Sequence, residues 1–578
     1  MSSRGAAGDL LGLDLDESFR AVAALPPTLP ATLLAHAKQS PTKIFLEVWS
    51  PARGLAQSVS YGALVDCMLA AALWLRDGIG LTEGEYCALL APNSVAYLSF
   101  SLGAMSLGAV SINLNWRNPS EVNERLLANL TPSILVAGAP FRAEATAAHS
   151  KLGIRIALLE AVCNMDCTCL PFEPPPLAAA EEMHAAISRI DPKKPCAVFF
   201  TGGTTGTPKA VPHSHHGLLW FADACLQTIP EGFASNVENA GTACFTPYFH
   251  VMGFVANFVF NLHAGCRAFI LADPDEKLSP GLILSACREL RPSVLNTVPW
   301  VVEGLVEYLR SGEPSDAAQV LSSLHLVTYG GAALAPHCGP ILKQNGIVVC
   351  CTYGQTELAG PIMFGKPGGD PNALRPLAGV RYELKPSADD GPGEGELLLL
   401  GNASATSGYL TLPSEKKAYR SLCDGMEATF TPQERFSTND RFTTRSINGE
   451  AWLLYLCRAD DLLVHTSGEM SNPLPTEGRL IAECSTLLHA VCVVGTNMAR
   501  CMVLLELAQG VDPQAASTLE TLRAGLSKAN SVQPQYSRVL DQHAILLPHG
   551  SLPLTVKGTV QRGKAEQLFA DEIDACRR

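Results

Sequence analysis

Short β-rich apolar runs alternate with Ala/Leu-rich segments of helix length over most of this chain. That alternation restricts the fold more than any other feature of the sequence. CALLAP near residue 87, AVSIN near 109, SILVAG near 133 and IRIALL near 154 are four such runs. Strand-like runs separated by helix-length segments build βαβ units, so an α/β class with mostly parallel sheets flanked by helices is expected. At 578 residues the chain exceeds one ordinary core and should form several packed units. The Pro/Ala-rich stretch from about Pro171 to Pro195 reads as a surface connection. DDGPGEGE, Asp389 to Glu396, reads as a tight turn entering the strand ELLLLG. From about Arg458 the pattern changes, and the remainder is sized for a small α+β unit. The expected division is therefore 1–456 and 457–578.

Composition narrows the function classes. Apolar residues make up 47% and charged residues 17%, ample material for buried cores. Net charge is −13, from 42 basic and 55 acidic residues. Such a balance lacks the clustered positive charge that holds a nucleic-acid backbone, so nucleic acid is not an expected partner. ATP remains open, because it needs only a few local cations, backbone N–H groups and Mg²⁺. The 19 cysteines are scattered without regular spacings and read as reduced thiols. Cys163, Cys167 and Cys169 form one cluster, but no second cluster of matching spacing supports a metal site there. The start, MSSRGAAGDLLGLDLDESF, lacks a basic stretch followed by an uninterrupted apolar run, so no secretory signal is expected. The apolar stretch from Tyr86 to Leu114 is broken by Pro92, Asn93 and Asn113 and reads as buried helices and strands, not a membrane span. The last residues, ACRR, match no peroxisomal or retention address, and a cytosolic location is expected.

The segment AVFFTGGTTGTPKAVPHSH, residues 197 to 215, carries the strongest chemical signal. An apolar strand, Ala197 to Phe200, runs into a Gly/Thr-rich loop, Thr201 to Thr207, followed by Pro208 and Lys209. Glycines at 202, 203 and 206 let the backbone approach a ligand closely. Successive N–H groups and the hydroxyls of Thr201, Thr204 and Thr205 can then wrap phosphate oxygens, with Lys209 as a point charge. No Gly-Lys-Ser/Thr ends the loop, so it is not a Walker loop. Taken alone, such a loop is as often a flexible turn as a phosphate site.

TGGTTGTPKAV resembles the phosphate-loop signature of the adenylate-forming superfamily, which includes acyl-CoA and aryl-CoA synthetases, luciferases and the adenylation domains of peptide synthetases. Further matches follow in that family's order. FTPYFHVMGF (Phe245 to Phe254) resembles its acyl-pocket segment, YGGAAL (Tyr329 to Leu334) its adenine-side loop and TYGQTE (Thr352 to Glu357) its Tyr-Gly-x-Thr-Glu motif. GELLLLG with GYL (Gly395 to Leu410) resembles its late core strands. STND (Ser437 to Asp440) resembles Thr-Gly-Asp, with Asn439 in place of Gly. CRADDLLVHTSGE (Cys457 to Glu469) resembles its hinge and LPLTVKGTVQR (Leu552 to Arg562) its C-terminal lysine motif. The hinge and tail resemble most closely the adenylation domains of fungal-type reductases related to peptide synthetases. A stand-alone relative of those domains is expected.

The resemblance implies a large N-terminal domain with a distorted β-barrel subdomain and a small mobile C-terminal domain. It implies ATP, Mg²⁺ and coenzyme A as cofactors and a carboxylic acid as substrate. The loop at 201–206 with Lys209 is expected to hold the β- and γ-phosphates. Glu357 is the expected Mg²⁺ ligand, with Thr356 beside it to touch phosphate. Asp440 is suited to the ribose hydroxyls. Tyr353, flanked by Gly354 and Gln355, offers a flat face to adenine, and Gly330, Gly331 and Ala332 leave room beside it. Arg458 is expected to reach the nucleotide, and Asp460 occupies the pivot position. Aligned without gaps, the family's lysine falls on Thr559, while Lys557 precedes Gly558; Lys557 is expected to serve in its place.

In the acyl segment, Phe249, His250, Gly253 and Phe254, with Val298 from a later strand, are the expected substrate-binding residues. His250 is read either as a gate of the acyl site or as a hydrogen-bonded core histidine. Residues 245–254 hold no acid, and an unpaired substrate ammonium in an apolar pocket is costly, which argues against an amino-acid substrate. An aryl, medium-chain or branched acid fits better. The expected activity is an AMP-forming acyl-CoA or aryl-CoA synthetase. The alternatives are an adenylation enzyme that loads a separate carrier protein and an inactive relative that only binds nucleotide.

Overall fold

The computed structural model describes residues 26–164, 170–201, 208–227, 241–272, 278–331, 333–335, 337–386, 391–400, 435–459, 462–464, 470–496, 498, 500–531, 533, 537–555 and 558–577. Strands are numbered in chain order. A three-stranded sheet joins β1 (Ile44–Ser50), β2 (Gly54–Ser60) and β10 (Ala268–Leu271). A six-stranded sheet contains β3 (Tyr86–Leu90), β4 (Val110–Asn113), β5 (Ile134–Ala137), β6 (Arg155–Leu158), β7 (Pro195–Thr201) and β8 (Lys209–Ser214), in the order β6-β5-β3-β4-β7-β8. All its neighbours run parallel except the last pair, β7 and β8.

The apolar runs seen in sequence are strands covered on both faces. Cys87 and Leu89 of β3 enter one core with Ile134, Val136, Ala197 and Phe199. Ala88 and Leu90 enter another on the opposite face with Leu135, Ala137 and Val198. A parallel sheet buried on both sides needs this unbroken hydrophobicity instead of polar alternation. The apolar stretch after β3 becomes the buried helix Val95–Ser106, capped by Ser94, whose side chain accepts the Tyr97 N–H. Its inward hydroxyls are satisfied internally: Ser99 and Ser106 donate to the carbonyls of Val95 and Leu102, both at 2.8 Å. No helix among the described residues is long and apolar enough to cross a membrane.

The third sheet has ten strands: β9 (Thr242–Ala243), β11 (Val294–Thr297), β12 (Leu326–Gly330), β13 (Val349–Gln355), β14 (Gly360–Phe364), β15 (Ala373–Pro376), β16 (Tyr382–Lys385), β17 (Glu394–Leu400), β18 (Arg435–Ile447) and β19 (Glu450–Arg458), ordered β16-β17-β18-β19-β15-β14-β13-β12-β11-β9. Its β9-to-β13 half is parallel and its remainder antiparallel. The antiparallel half, β14 to β19, forms the region where the distorted β-barrel subdomain was expected. A two-residue ladder, β20 (Leu463–Val464) with β21 (Met470–Ser471), follows. The C-terminal sheet, β22 (Leu488–Val494), β23 (Met502–Leu507) and β24 (Ala544–Leu547), has its own apolar cores on its two faces.

The Pro/Ala-rich stretch is more ordered than its composition implies. It contains the helix Leu177–Ile187, which leaves Leu177 exposed and docks through Met183 and Ile187, one turn apart. Ala180 packs beside them, and Arg76 donates to Glu182 at 3.0 Å, which adds to the docking of this amphipathic helix.

Two buried histidines, His213 and His215, flank Ser214, the N-cap of the helix His215–Leu226. Burial holds His213 down to about 4 and His215 to about 3, against an ordinary 6.5. The native state therefore excludes two protons that the unfolded chain takes up below pH 6.5, so stability is retained above that pH and is lost as pH falls toward 4. The thermal midpoint should drop between pH 7.5 and pH 5, and His213→Gln should make that drop smaller. Equal drops in both proteins would remove His213 from the account.

Candidate active site

β7 ends at Thr201 and β8 begins at Lys209, and these two residues are register partners. Thr201 and Lys209, on either side of the Gly/Thr-rich segment, are thus held side by side across an antiparallel pair of strands. Gly202, Gly203, Thr204, Thr205 and Gly206 lie outside the described residues. β7 touches the one-turn 3₁₀ helix Thr356–Leu358, which closes β13. From β8, His213 points across the gap, with Nε2 2.7 Å from the Thr356 carbonyl oxygen. A carbonyl only accepts, so Nε2 carries the proton, and burial keeps the ring neutral. Strand β8 and the Thr356–Glu357 turn are therefore fixed to each other by a hydrogen bond between two separate sheets.

The turn itself is dictated locally. Ala359 takes a left-handed conformation at φ 61°. A Cβ on Gly354 would collide with the Gly360 carbonyl oxygen, so only glycine lets β14 fold back this closely. Glu357, half-buried, stands on this turn with Thr356 beside it. A carboxylate next to a hydroxyl is the hard-oxygen chemistry that suits Mg²⁺.

Asp440 is buried, and its environment is built from two strands. Tyr353 donates its phenol proton to Asp440 Oδ2 at 2.6 Å, and Gln355 Nε2 donates to the same oxygen at 2.6 Å. Gln355 also donates to the Thr438 carbonyl at 2.7 Å. Burial, reinforced by the neighbouring Asp440 carboxylate, pushes the Tyr353 phenol well above its ordinary value, so it remains a donor. Across the next ladder the Cα partner of Asp440 is Arg458. A bulge in β18 makes this possible: Glu396 pairs with Arg441 but Leu398 with Ser437, which leaves residues 438–440 opposite Leu397. Thr438 spans the bulge, donating to the Leu397 carbonyl at 2.9 Å and accepting the Asp440 N–H at 3.1 Å. Asn439 sits at φ 55°, the conformation a glycine takes without strain and that asparagine tolerates better than most residues. The replacement of Gly by Asn in STND therefore preserves the backbone path.

Gly330 pairs with Thr352, which places the loop after β12 one strand from Tyr353. Gly331 follows at φ 93°, and Ala332 lies outside the described residues. Asn372 clamps the far side of this loop, accepting from Leu334 N at 3.0 Å and donating to the Leu334 carbonyl at 3.1 Å.

In the acyl segment, Phe249 is buried with its ring edge-on to Trp116 at 5.9 Å. His250 is half-buried, and its Nδ1 accepts the Met252 N–H at 3.1 Å, which fixes the ring and leaves the proton on Nε2. Gly253 packs its Cα against the Thr246 and Pro247 carbonyls, where a Cβ has no room. Phe254 is fully buried among Phe199, Tyr248 and Phe258 and is a core residue. Val298 is buried at the entry to the helix Pro299–Ser311.

The C-terminal motif reaches this same helix. Thr555 and Thr559 pair through N–H to carbonyl at 2.7 Å and through their hydroxyls at 2.7 Å, with Gly558 at φ 80°. Thr555, at the end of one described segment, and Thr559, near the start of the next, close a tight turn. A Cβ on Gly558 would come 3.6 Å from the Trp300 ring, next to Val298. Thr559 is thus a turn-closing residue. Lys557 and the pivot Asp460 lie outside the described residues. His213 and Trp300 were not singled out in sequence; His213 stood in plain view in AVPHSH, but only the tertiary contact to Thr356 reveals its role.

The family described as "AMP-binding enzyme" matches residues 33–410, and the "AMP-binding enzyme C-terminal domain" matches residues 460–578. Hispidin synthase of Neonothopanus nambi is 25% identical over 571 residues, covering 89% of this chain and 32% of that protein. Peroxisomal OPC-8:0-CoA ligase 1 of Arabidopsis thaliana is 26% identical over 318 residues, covering 55% of this chain and 53% of that protein. The chain thus spans about a third to a half of the length of these curated relatives. Among solved structures, the anthranilate CoA ligase AuaEII in complex with anthranoyl-AMP superposes with a TM-score of 0.72 at 18% identity, covering 94% of this chain and 98% of that one.

The shared acceptor Oδ2 of Asp440 gives a direct test. Tyr353→Phe removes one hydrogen bond to a charged group, worth roughly 1.5 kcal/mol or more, and should weaken ATP binding about tenfold. Asp440→Ala should weaken it further. Titration calorimetry with ATP measures both, and wild-type affinity in Asp440→Ala would show that the nucleotide binds elsewhere.

Proposed function

The chain belongs to the AMP-binding enzyme family, and on that premise we propose that it joins a carboxylic acid to ATP as an acyl-adenylate, releases pyrophosphate, and passes the acyl group to the thiol of coenzyme A. One observation carries this reading. A single strand, β13, presents Tyr353 and Gln355 to Asp440 and then runs directly into the Thr356–Glu357 turn that His213 ties to the β7–β8 hairpin. Ribose-binding and phosphate-binding groups are thus held on one continuous, hydrogen-bonded frame.

A carboxylate oxygen forms a bond to the α-phosphorus while the bond from that phosphorus to its bridging oxygen breaks and pyrophosphate leaves. Two anions must approach, so the site has to supply positioning and positive potential. Asp440, its plane fixed by two donors on one oxygen, receives the ribose hydroxyls, and the Tyr353 ring lies along adenine. The Gly/Thr-rich loop and Lys209 wrap the departing phosphates, and Arg458 adds charge from the neighbouring strand. Glu357 and Thr356 are the groups suited to hold Mg²⁺, whose charge when bound offsets that of the phosphates. Lys557 serves the attacking carboxylate. In the second step the coenzyme A sulfur bonds to the acyl carbon and AMP leaves with the bonding pair. Asp460 is the pivot that brings the C-terminal unit round for this step.

Phe249 packs edge-on against Trp116, Val298 is apolar, and residues 245–254 contain no acid to pair with an ammonium. An aryl, medium-chain or branched acid is therefore the proposed substrate class. A carrier-protein thiol is the alternative acceptor, favoured by the hinge and tail sequences at 459–477 and 557–562.

Pyrophosphate release against a panel of carboxylic acids, with and without coenzyme A, tests the reading. Release with an apolar acid, and an acyl-CoA by mass spectrometry only when coenzyme A is present, is the expected result. Acyl-AMP accumulating despite coenzyme A would move the assignment to a carrier, and no release with any acid would reject the activity. Lys557→Ala should slow adenylation roughly 100-fold, in the range of a lost charge-stabilising group, while Thr559→Ala stays near wild type; the reverse pattern would return the role to position 559.

A further inference from the structure

In the C-terminal sheet, away from the nucleotide site, two imidazoles converge on one buried carboxylate. Glu506 of β23 is 1% exposed. Its Oε1 accepts the Gly550 N–H at 2.9 Å and its Oε2 the Leu552 N–H at 2.6 Å. His489 Nε2 lies 3.6 Å and His549 Nδ1 3.8 Å from Oε1. The two imidazoles meet edge-on with centroids 4.4 Å apart, and the three ligand atoms all lie within 4.8 Å of one another.

The backbone is shaped to make this meeting. Leu488 pairs with Leu507 but Ala490 pairs with Glu506, so His489 is the extra residue of a β-bulge. A bulge re-aims a side chain, here onto the face that carries Glu506. His549 follows β24, whose Leu547 is the register partner of Glu506. The turn at Gly550, φ 80°, then aims two backbone N–H groups at the same carboxylate. β22 and β23 thus contribute one member each, and the segment just after β24 the third.

A buried carboxylate is costly without a cation, and the ion-pair partners of Glu506 are these two imidazoles alone among the described residues. We propose that His489, Glu506 and His549 bind one divalent transition-metal ion of the Zn²⁺ class, with water completing the coordination. Two imidazole nitrogens and one carboxylate oxygen favour such an ion over Mg²⁺ or Ca²⁺. Ligand atoms around a tetrahedral Zn²⁺ stand about 3.4 Å apart, given bonds of about 2.0–2.1 Å. The two separations from the carboxylate, 3.6 and 3.8 Å, need a contraction of tenths of an ångström, the two imidazole nitrogens lie within 4.8 Å of each other, and both imidazoles, with 43% and 42% of their side chains exposed, have room to turn toward the ion. The N–H groups of Gly550 and Leu552 orient the carboxylate, as outer partners of metal ligands do. The ion would lock the bulge of β22 to the segment that leads into the Thr555–Thr559 turn.

Chelator-treated full-length protein, in excess Mg²⁺, is titrated with Co²⁺ and followed by visible d–d absorption. One Co²⁺ per chain with an imidazole-type spectrum, displaced by Zn²⁺, is expected. His489→Ala and His549→Ala should each weaken binding at least roughly tenfold, with circular dichroism of the metal-free proteins unchanged. No uptake of Co²⁺, a thiolate charge-transfer spectrum, or wild-type affinity in both variants would overturn the site. None of these outcomes touches the nucleotide assignment, because neither histidine belongs to it.

Discussion

The hydrogen bond from His213 to the Thr356 carbonyl is the contact on which the geometry of the site depends. It crosses from the antiparallel edge of the six-stranded sheet to the turn that ends β13, and so fixes strand β8 against an acid-bearing turn from a separate sheet. Its burial matters as much as its length. A charged imidazole at this depth would be expensive, and burial holds the ring neutral with one proton to give. Losing the bond would leave a buried donor and a buried acceptor unpaired at the centre of the frame.

Beyond that contact the site is a set of local departures from regular structure. The β18 bulge projects Asp440 toward Tyr353 and Gln355, the left-handed Asn439 and Ala359 turn the chain at each end of the frame, and Gly354 lets β14 return at close quarters. Such irregularities cost free energy on their own. They persist because each lies between regular strands that pack two apolar cores.

Much of this was legible in sequence. Unbroken apolar runs gave strands buried on both faces, because no polar alternation is tolerated there. The motif order gave Asp440, Tyr353 and the 356–357 turn, which local glycines and acids mark clearly. Other residues could not be read this way. His213 in an apolar strand looks like any buried histidine until its partner, 143 positions away in sequence, is known. Phe254 carries the same apolar signal whether it lines a pocket or fills a core, and the surrounding aromatic rings place it in the core. The helix at 177–187 is hidden by its prolines, since composition reports flanks as strongly as the docked turn between them. The convergence of His489 on Glu506 depends on a one-residue register slip that no periodicity reveals.

The central claim is that the hairpin closed by Thr201 and Lys209, the acid at 357 and the acid at 440 surround one metal-bound nucleotide. Anomalous diffraction from crystals grown with ATP and Mn²⁺ locates both at once. The account predicts a manganese peak at the Glu357 carboxylate, with the ribose on Asp440 and the triphosphate at the hairpin mouth beside Lys209. A nucleotide bound away from these three stretches, or manganese remote from Glu357, would contradict it.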